Sequence, residues 1–210
     1  MKTFDEIKEG CTKRLKEEIK RLEKEIINTE DQDVKRTIMM SIESRKIKLN
    51  NIDEYTAYYI GSKANNILFY LKEYYNNSQQ LLDIDEGAEQ MLEDDLEYCI
   101  RLACSEASEL GITAETFNNY FINKDPNKKE DCDEFIQMVN NNYGTNIPLT
   151  GELEKAEKSL RKATPEEYNR KLVEFYKMQL RAGCPNKYFN NHSTNEQYLS
   201  EKDLINNKTK

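Results

Sequence analysis

The sequence predicts an all-α fold, and three observations carry that expectation. Apolar residues recur every three or four positions through most of the chain. No segment alternates with a period of two. Gly (7) and Pro (4) are scarce and read as punctuation between periodic stretches. Charged residues make up 33% and the mean hydropathy is -0.91, values that by themselves lean toward disorder. Hydrophobic residues at 37%, set at helical spacing, are enough to close a core in a chain of 210 residues.

The first apolar stripe runs Phe4, Ile7, Cys11, Leu15, Ile19, Leu22 and Ile26. Opposite it, Glu9 with Lys13, Glu17 with Arg21 and Arg21 with Glu25 are spaced to pair one turn apart. The polar stretch 28–33 breaks the pattern, with Asp31 or Asp33 as a natural N-cap. A second stripe follows: Val34, Ile38, Ile42, Leu49, Ile52, Tyr55 and Tyr59. The two read as an antiparallel, coiled-coil-like hairpin over 1–60, though the repeat is not a strict heptad.

A multi-helix bundle is expected over 61–183. Ala64, Ile67, Leu68, Leu71, Tyr74 and Tyr75 mark a helix after Gly61, ending near Asn76-Asn77-Ser78. Ala88, Leu92, Leu96, Cys99, Ala103, Ala107 and Leu110 form the seam of the next, and Leu110-Gly111-Ile112 is a Schellman stop. Thr113 can cap a short helix with Phe117, Tyr120 and Phe121. Cys132, Phe135, Ile136 and Val139 define another, and 140–151 reads as loop. Leu153, Ala156 and Leu160 start a further helix. Thr164-Pro165-Glu166-Glu167 is a capping box opening the last, with Tyr168, Leu172 and Phe175 inside and Gly183-Cys184-Pro185 at its end. Residues 184–210, rich in Asn and Lys, read as a loose tail.

No apolar run approaches the ~20 residues of a membrane span, and MKTFDEIKEG is no secretory leader, so no membrane is expected. The five cysteines (Cys11, Cys99, Cys104, Cys132, Cys184) are odd in number and widely spaced. They read as small buried hydrophobes of a reducing, cytoplasmic compartment rather than a disulfide or zinc framework. The single histidine, His192, lies in the tail, which argues against mechanisms that need a scaffolded imidazole. No Gly-rich phosphate loop is present, and no cofactor is expected.

Charge is unevenly distributed. Between Asp83 and Glu109 ten acids face one base, Arg101, a net of -9 against -8 for the whole chain. On helical spacing Glu86, Glu89, Glu93 and Glu97 share a face, with Asp94 beside them. The segment can be a solvated face enriched in acids near a helix start, where the macrodipole favours them. It can also be a recognition ridge for a protein partner with a basic, nucleic-acid-binding surface. A divalent-metal site at Glu93, Glu97, Glu106 and Glu109, as in helical nucleotide pyrophosphohydrolases, is the weaker alternative, since no acidic motif on a second helix matches it.

The row Lys13, Lys16, Lys20 and Lys24 could contact phosphates, but it is interleaved with Glu17, Glu18, Glu23 and Glu25 and reads first as a solvated surface. Tyr58-Tyr59 and Tyr74-Tyr75 are neighbours about 100° apart on a helix, so one of each pair is expected either to be exposed, as a favoured interface anchor, or to contact something other than the core. Lys outnumbers Arg 23 to 8 and Asn is abundant, a bias that suits a low-G+C genome. Together these features suggest a non-enzymatic interaction protein, a phage or mobile-element regulator or inhibitor, with homodimerisation through the hairpin left open.

Overall fold

A computed structural model of the chain describes residues 1–80, 89–121 and 124–183. Among these the fold is eight helices and no strand: α1 (Phe4–Ile27), α2 (Gln32–Asn50), α3 (Ile52–Gln80), α4 (Glu89–Glu109), α5 (Ala114–Phe121), α6 (Lys129–Tyr143), α7 (Glu152–Arg161) and α8 (Pro165–Arg181). None of the described helices is long and apolar enough to cross a membrane. The expected loose tail, with Cys184 and His192, lies outside the described residues.

Helix ends follow local chemistry. Thr3 and Glu6 close a capping box on α1, with Thr3 Oγ1 accepting from Glu6 N (3.2 Å) and Glu6 Oε2 from Thr3 N (2.6 Å). Asp31 is the N-cap of α2, accepting from the amides of Asp33 and Val34. The stop of α4 is a Schellman motif: Ile112 N donates to Ala107 O and Gly111 N to Ser108 O, both 2.9 Å, with Gly111 at φ +69°. Thr113 caps α5 by accepting from Thr116 N. At α8 the helix starts at Pro165 as the sequence predicts; the Thr164 side chain makes no capping hydrogen bond, while Glu167 pairs with Lys171 at 3.2 Å and accepts from the Thr164 backbone. Residues 140–143 are helical rather than loop, and α6 ends on left-handed Gly144.

α1 and α2 form the expected antiparallel hairpin, burying Ile19, Leu22, Ile38 and Ile42 as a small core of their own. The helix ladder then departs from the sequence reading. The break falls at Asn51, and α3 runs unbroken through Gly61 and past Asn76-Asn77-Ser78. Gly61 is there for close approach: a Cβ on it would stand 2.0 Å from the Arg181 carbonyl oxygen. Gly183, at φ +68°, meets the backbone of Ser62 equally closely. Asn65 Nδ2 clasps the same junction, donating to Gly61 O and Ala182 O.

The main core gathers Ile7 and Cys11 of α1, Ile60, Ala64, Ile67, Leu68 and Leu71 of α3, and Ala103 and Ala107 of α4. Phe117 of α5 and Phe135, Ile136 and Val139 of α6 complete it. α1 therefore serves both cores, its first turns in the bundle and its last turns in the hairpin. The i,i+4 pairs expected on α1 do not form among the described residues; Glu18 instead reaches across to Arg45 of α2 at 2.6 Å. Cys11, Cys99 and Cys132 are buried free thiols, pushed up in pKa chiefly by burial, whereas Cys104 is exposed.

Two glycines test the packing. Gly61→Ala should lower the urea midpoint by the equivalent of about 3 kcal/mol, the upper end of overpacking costs, because the obstructing atoms are backbone. Gly10→Ala, with no atom within 4 Å of the added Cβ, should raise it by up to about 1 kcal/mol.

Candidate functional site

α4 packs antiparallel along α3, and its seam of Cys99, Ala103 and Ala107 turns toward the core. Small residues at that seam let the two backbones approach, and they fix the rotation of α4. Glu93, Asp94, Asp95 and Glu97 consequently point outward and are exposed. Tyr98, 52% exposed, stands beside them with the Arg101 guanidinium 5.6 Å above its ring. The only base of the acidic segment is thus engaged on an aromatic face. Glu86 lies outside the described residues; Glu89 opens α4, with its side chain also outside them.

The register of α3 against α4 is set by Tyr59 opposite Glu109 and Lys63 opposite Glu106. Continued along both helices, it brings Tyr74 of α3 level with the acidic turns of α4. Tyr74 is 38% exposed and Tyr75 half-buried, which fits the expectation for that pair. Neither Tyr58 nor Tyr59 is exposed, and this pair takes the other course, contact within the fold. Tyr58 stacks on Tyr55, ring centroids 6.0 Å apart, and Tyr59 is enclosed between α1 and α4. A helix covered by neighbours on several sides can shelter two successive residues; a helix on the rim cannot.

Glu106 and Glu109 belong to an internal polar cross-link. Tyr59 Oη donates to Glu109 Oε2 at 2.8 Å, and Arg14 Nη1 lies 3.5 Å from the same oxygen. The Arg14 guanidinium covers the Tyr59 ring at 4.6 Å, and Lys63 Nζ is 2.7 Å from Glu106 Oε2. The hydrogen bond from Tyr59 holds the Glu109 carboxyl below its ordinary range; burial opposes this and the nearby Arg14 and Lys63 charges assist it. Burial, with the bond to Glu109, pushes the Tyr59 phenol well up. The same end of α4 accepts further bonds at Leu110 O, from the buried Tyr143 hydroxyl (2.5 Å) and from Lys2 N (3.4 Å).

The four carboxylates of the metal alternative are not brought together. Glu106 lies nine positions beyond Glu97, about 13 Å along one helix. Glu93 and Glu97 face solvent while Glu106 and Glu109 face cationic and phenolic partners within the fold. Among the described residues no group of three or more His, Cys, Asp or Glu is placed to hold a metal ion. The row Lys13, Lys16, Lys20 and Lys24 is exposed along α1, with Glu17, Glu23 and Glu25 exposed beside it.

Sequence reasoning missed Tyr98, which lies next to the seam residue Cys99 and could have been placed on the outer face by the same 100° rule used for the tyrosine pairs. It also missed Arg14, whose pairing with Tyr59 and Glu109 spans 45 and 95 residues and leaves no local signal. The chain matches no protein-family model, no curated protein and no solved structure with which it was compared. What the fold defines is a class: an all-helical bundle.

The cross-link makes a pH-dependent prediction. Because Glu109 titrates lower in the folded chain, its contribution is full above the unfolded value, near 4.5, and is lost as pH falls through the folded value. Glu109→Gln should therefore destabilise at pH 7 by less than about 1 kcal/mol, the carboxylate being partly exposed. The gap from wild type should close below pH 4.5 in urea titrations at stepped pH.

Proposed function

We propose that this chain is a non-enzymatic interaction protein that engages a protein partner through α4. Glu93, Asp94 and Glu97 supply the field, and Tyr98 and Tyr74 the anchors. The observation that supports this reading most directly is the exposure of those acids beside two exposed tyrosines on adjoining helices.

Like charges stacked one turn apart cost a helix a few tenths of a kcal/mol per pair. A recognition role accounts for keeping them, since a negative ridge steers a positive surface into register and speeds encounter. Tyrosine beside it adds apolar area with a polar tip, the residue type that dominates interface energetics. The complementary surface is basic, of the kind that handles nucleic acid, and an inhibitor or regulator occupying such a surface in a bacterial or host cytoplasm fits the composition. A phage or other mobile element is a fitting source for a chain of this size and codon character.

The test is a pull-down from nuclease-treated low-G+C bacterial lysate, comparing wild type with a variant carrying Glu93→Lys, Asp94→Lys and Glu97→Lys. A stoichiometric protein retained by wild type should be lost from the variant. Tyr98→Ala should weaken its capture about tenfold, the usual cost of removing an interface anchor. Circular dichroism should show both variants fully helical. Undiminished capture by the charge-reversed chain would overturn the reading.

A further inference from the structure

Where the hairpin meets the bundle, α1 and α2 enclose a cleft of about 360 Å³, open to solvent and lined by Arg14, Glu17, Glu18, Arg21 and Arg45. We propose that this cleft binds a small phosphorylated ligand that also carries a hydroxyl or amino donor, with the guanidinium groups on the phosphate oxygens and Glu17 on the donor.

Side-chain choice is the first reason. The chain uses 23 Lys and only 8 Arg, yet three of those eight line this cleft and no Lys does. Lysine would serve a solvated helical surface equally well. Arginine differs in offering a planar fork of N–H donors that matches two oxygens of one phosphate, which a point-like ammonium cannot do.

Orientation is the second. Arg45 is fixed by two bonds, Nε to Glu18 Oε2 at 2.6 Å and Nη1 to Ser41 O at 2.9 Å. A guanidinium carries five donors, so it retains N–H groups for a ligand. Arg14 lies over the Tyr59 ring at 4.6 Å, with Nη1 toward Glu109 Oε2 and Nη2 toward Cys11 Sγ, so its position is fixed by groups of the bundle. Little side-chain entropy remains to be lost at these two positions on binding.

Arg21 supplies the third. Glu17 and Glu25 lie one turn before and after it, the spacing at which a helix-surface arginine forms ion pairs. Among the described residues Arg21 forms neither pair and lines the cleft instead. With Glu18 committed to Arg45 and Glu109 to Arg14, Arg21 is the one guanidinium of the cleft without a carboxylate partner among the described residues, and Glu17 the one lining carboxylate left to a ligand. The carboxylate of Glu17 would repel a bare anion, and for that reason the ligand must bring a donor of its own.

Titration calorimetry on the full chain at constant ionic strength tests this, with pyrophosphate, adenosine monophosphate, sulfate and a short oligothymidylate as probes. Saturable binding of the nucleotide is expected, with sulfate at least tenfold weaker. Arg21→Ala should weaken nucleotide binding about tenfold, and Arg21→Lys should fall between, since it keeps charge but loses the fork. Glu17→Gln should favour pyrophosphate over the nucleotide. Circular dichroism of each variant separates lost binding from lost fold. No saturable heat from pyrophosphate or the nucleotide, equal binding of sulfate, or an unchanged affinity in Arg21→Ala would each overturn the proposal. Binding by the oligonucleotide alone would overturn it too, by assigning the cleft to a nucleic-acid backbone.

Discussion

The structure is organised by α3, a 29-residue helix of about 43 Å that packs against α1, α2, α4, α6 and α8. A helix surrounded in this way must let backbones approach from more than one side, and its sequence supplies the means. Gly61 admits the carbonyl of Arg181, and Ala64, wholly buried, lies within the main core. Thr56 is wholly buried too, and its hydroxyl is satisfied by Ile52 O at 2.7 Å, so no polar group on the helix is stranded there. The helix thereby fixes where α8 ends, how α4 is rotated and which parts of α1 can reach the core.

Rotation of α4 is the step that produces the acidic face. Once Cys99, Ala103 and Ala107 are buried, the helical repeat leaves Glu93, Asp94 and Glu97 no place but solvent. The same rotation turns Glu106 and Glu109 toward α3 and α1, where Lys63, Tyr59 and Arg14 meet them. One helix thus carries acids of two kinds: an outer set offered to the surroundings and an inner set spent on locking three helices together. Their difference is orientation and distance along the axis, not chemistry.

α1 has a comparable double use. Its apolar stripe is continuous, but Ile7 and Cys11 are covered by the bundle while Ile19 and Leu22 are covered by α2. Between the two cores sits a polar belt in which Arg14 faces the bundle and Glu18 reaches Arg45 of the hairpin. The arginine-lined cleft lies at that change of partner.

The sequence by itself determined the all-helical class, the apolar stripes and several helix ends, since each depends on residues within a turn or two. Gly111 stops α4 and Asp31 starts α2 for reasons contained in their immediate neighbours. Only the tertiary structure decided that Gly61 continues a helix rather than breaking one, that Tyr58 and Tyr59 are both sheltered, and that Glu106 and Glu109 are internal partners instead of metal ligands. Periodicity states which face of a helix is apolar and says nothing of which helix will cover it. The partner of Gly61 is 120 residues away and that of Glu109 is 95, and contacts so distant are set by how the helices assemble.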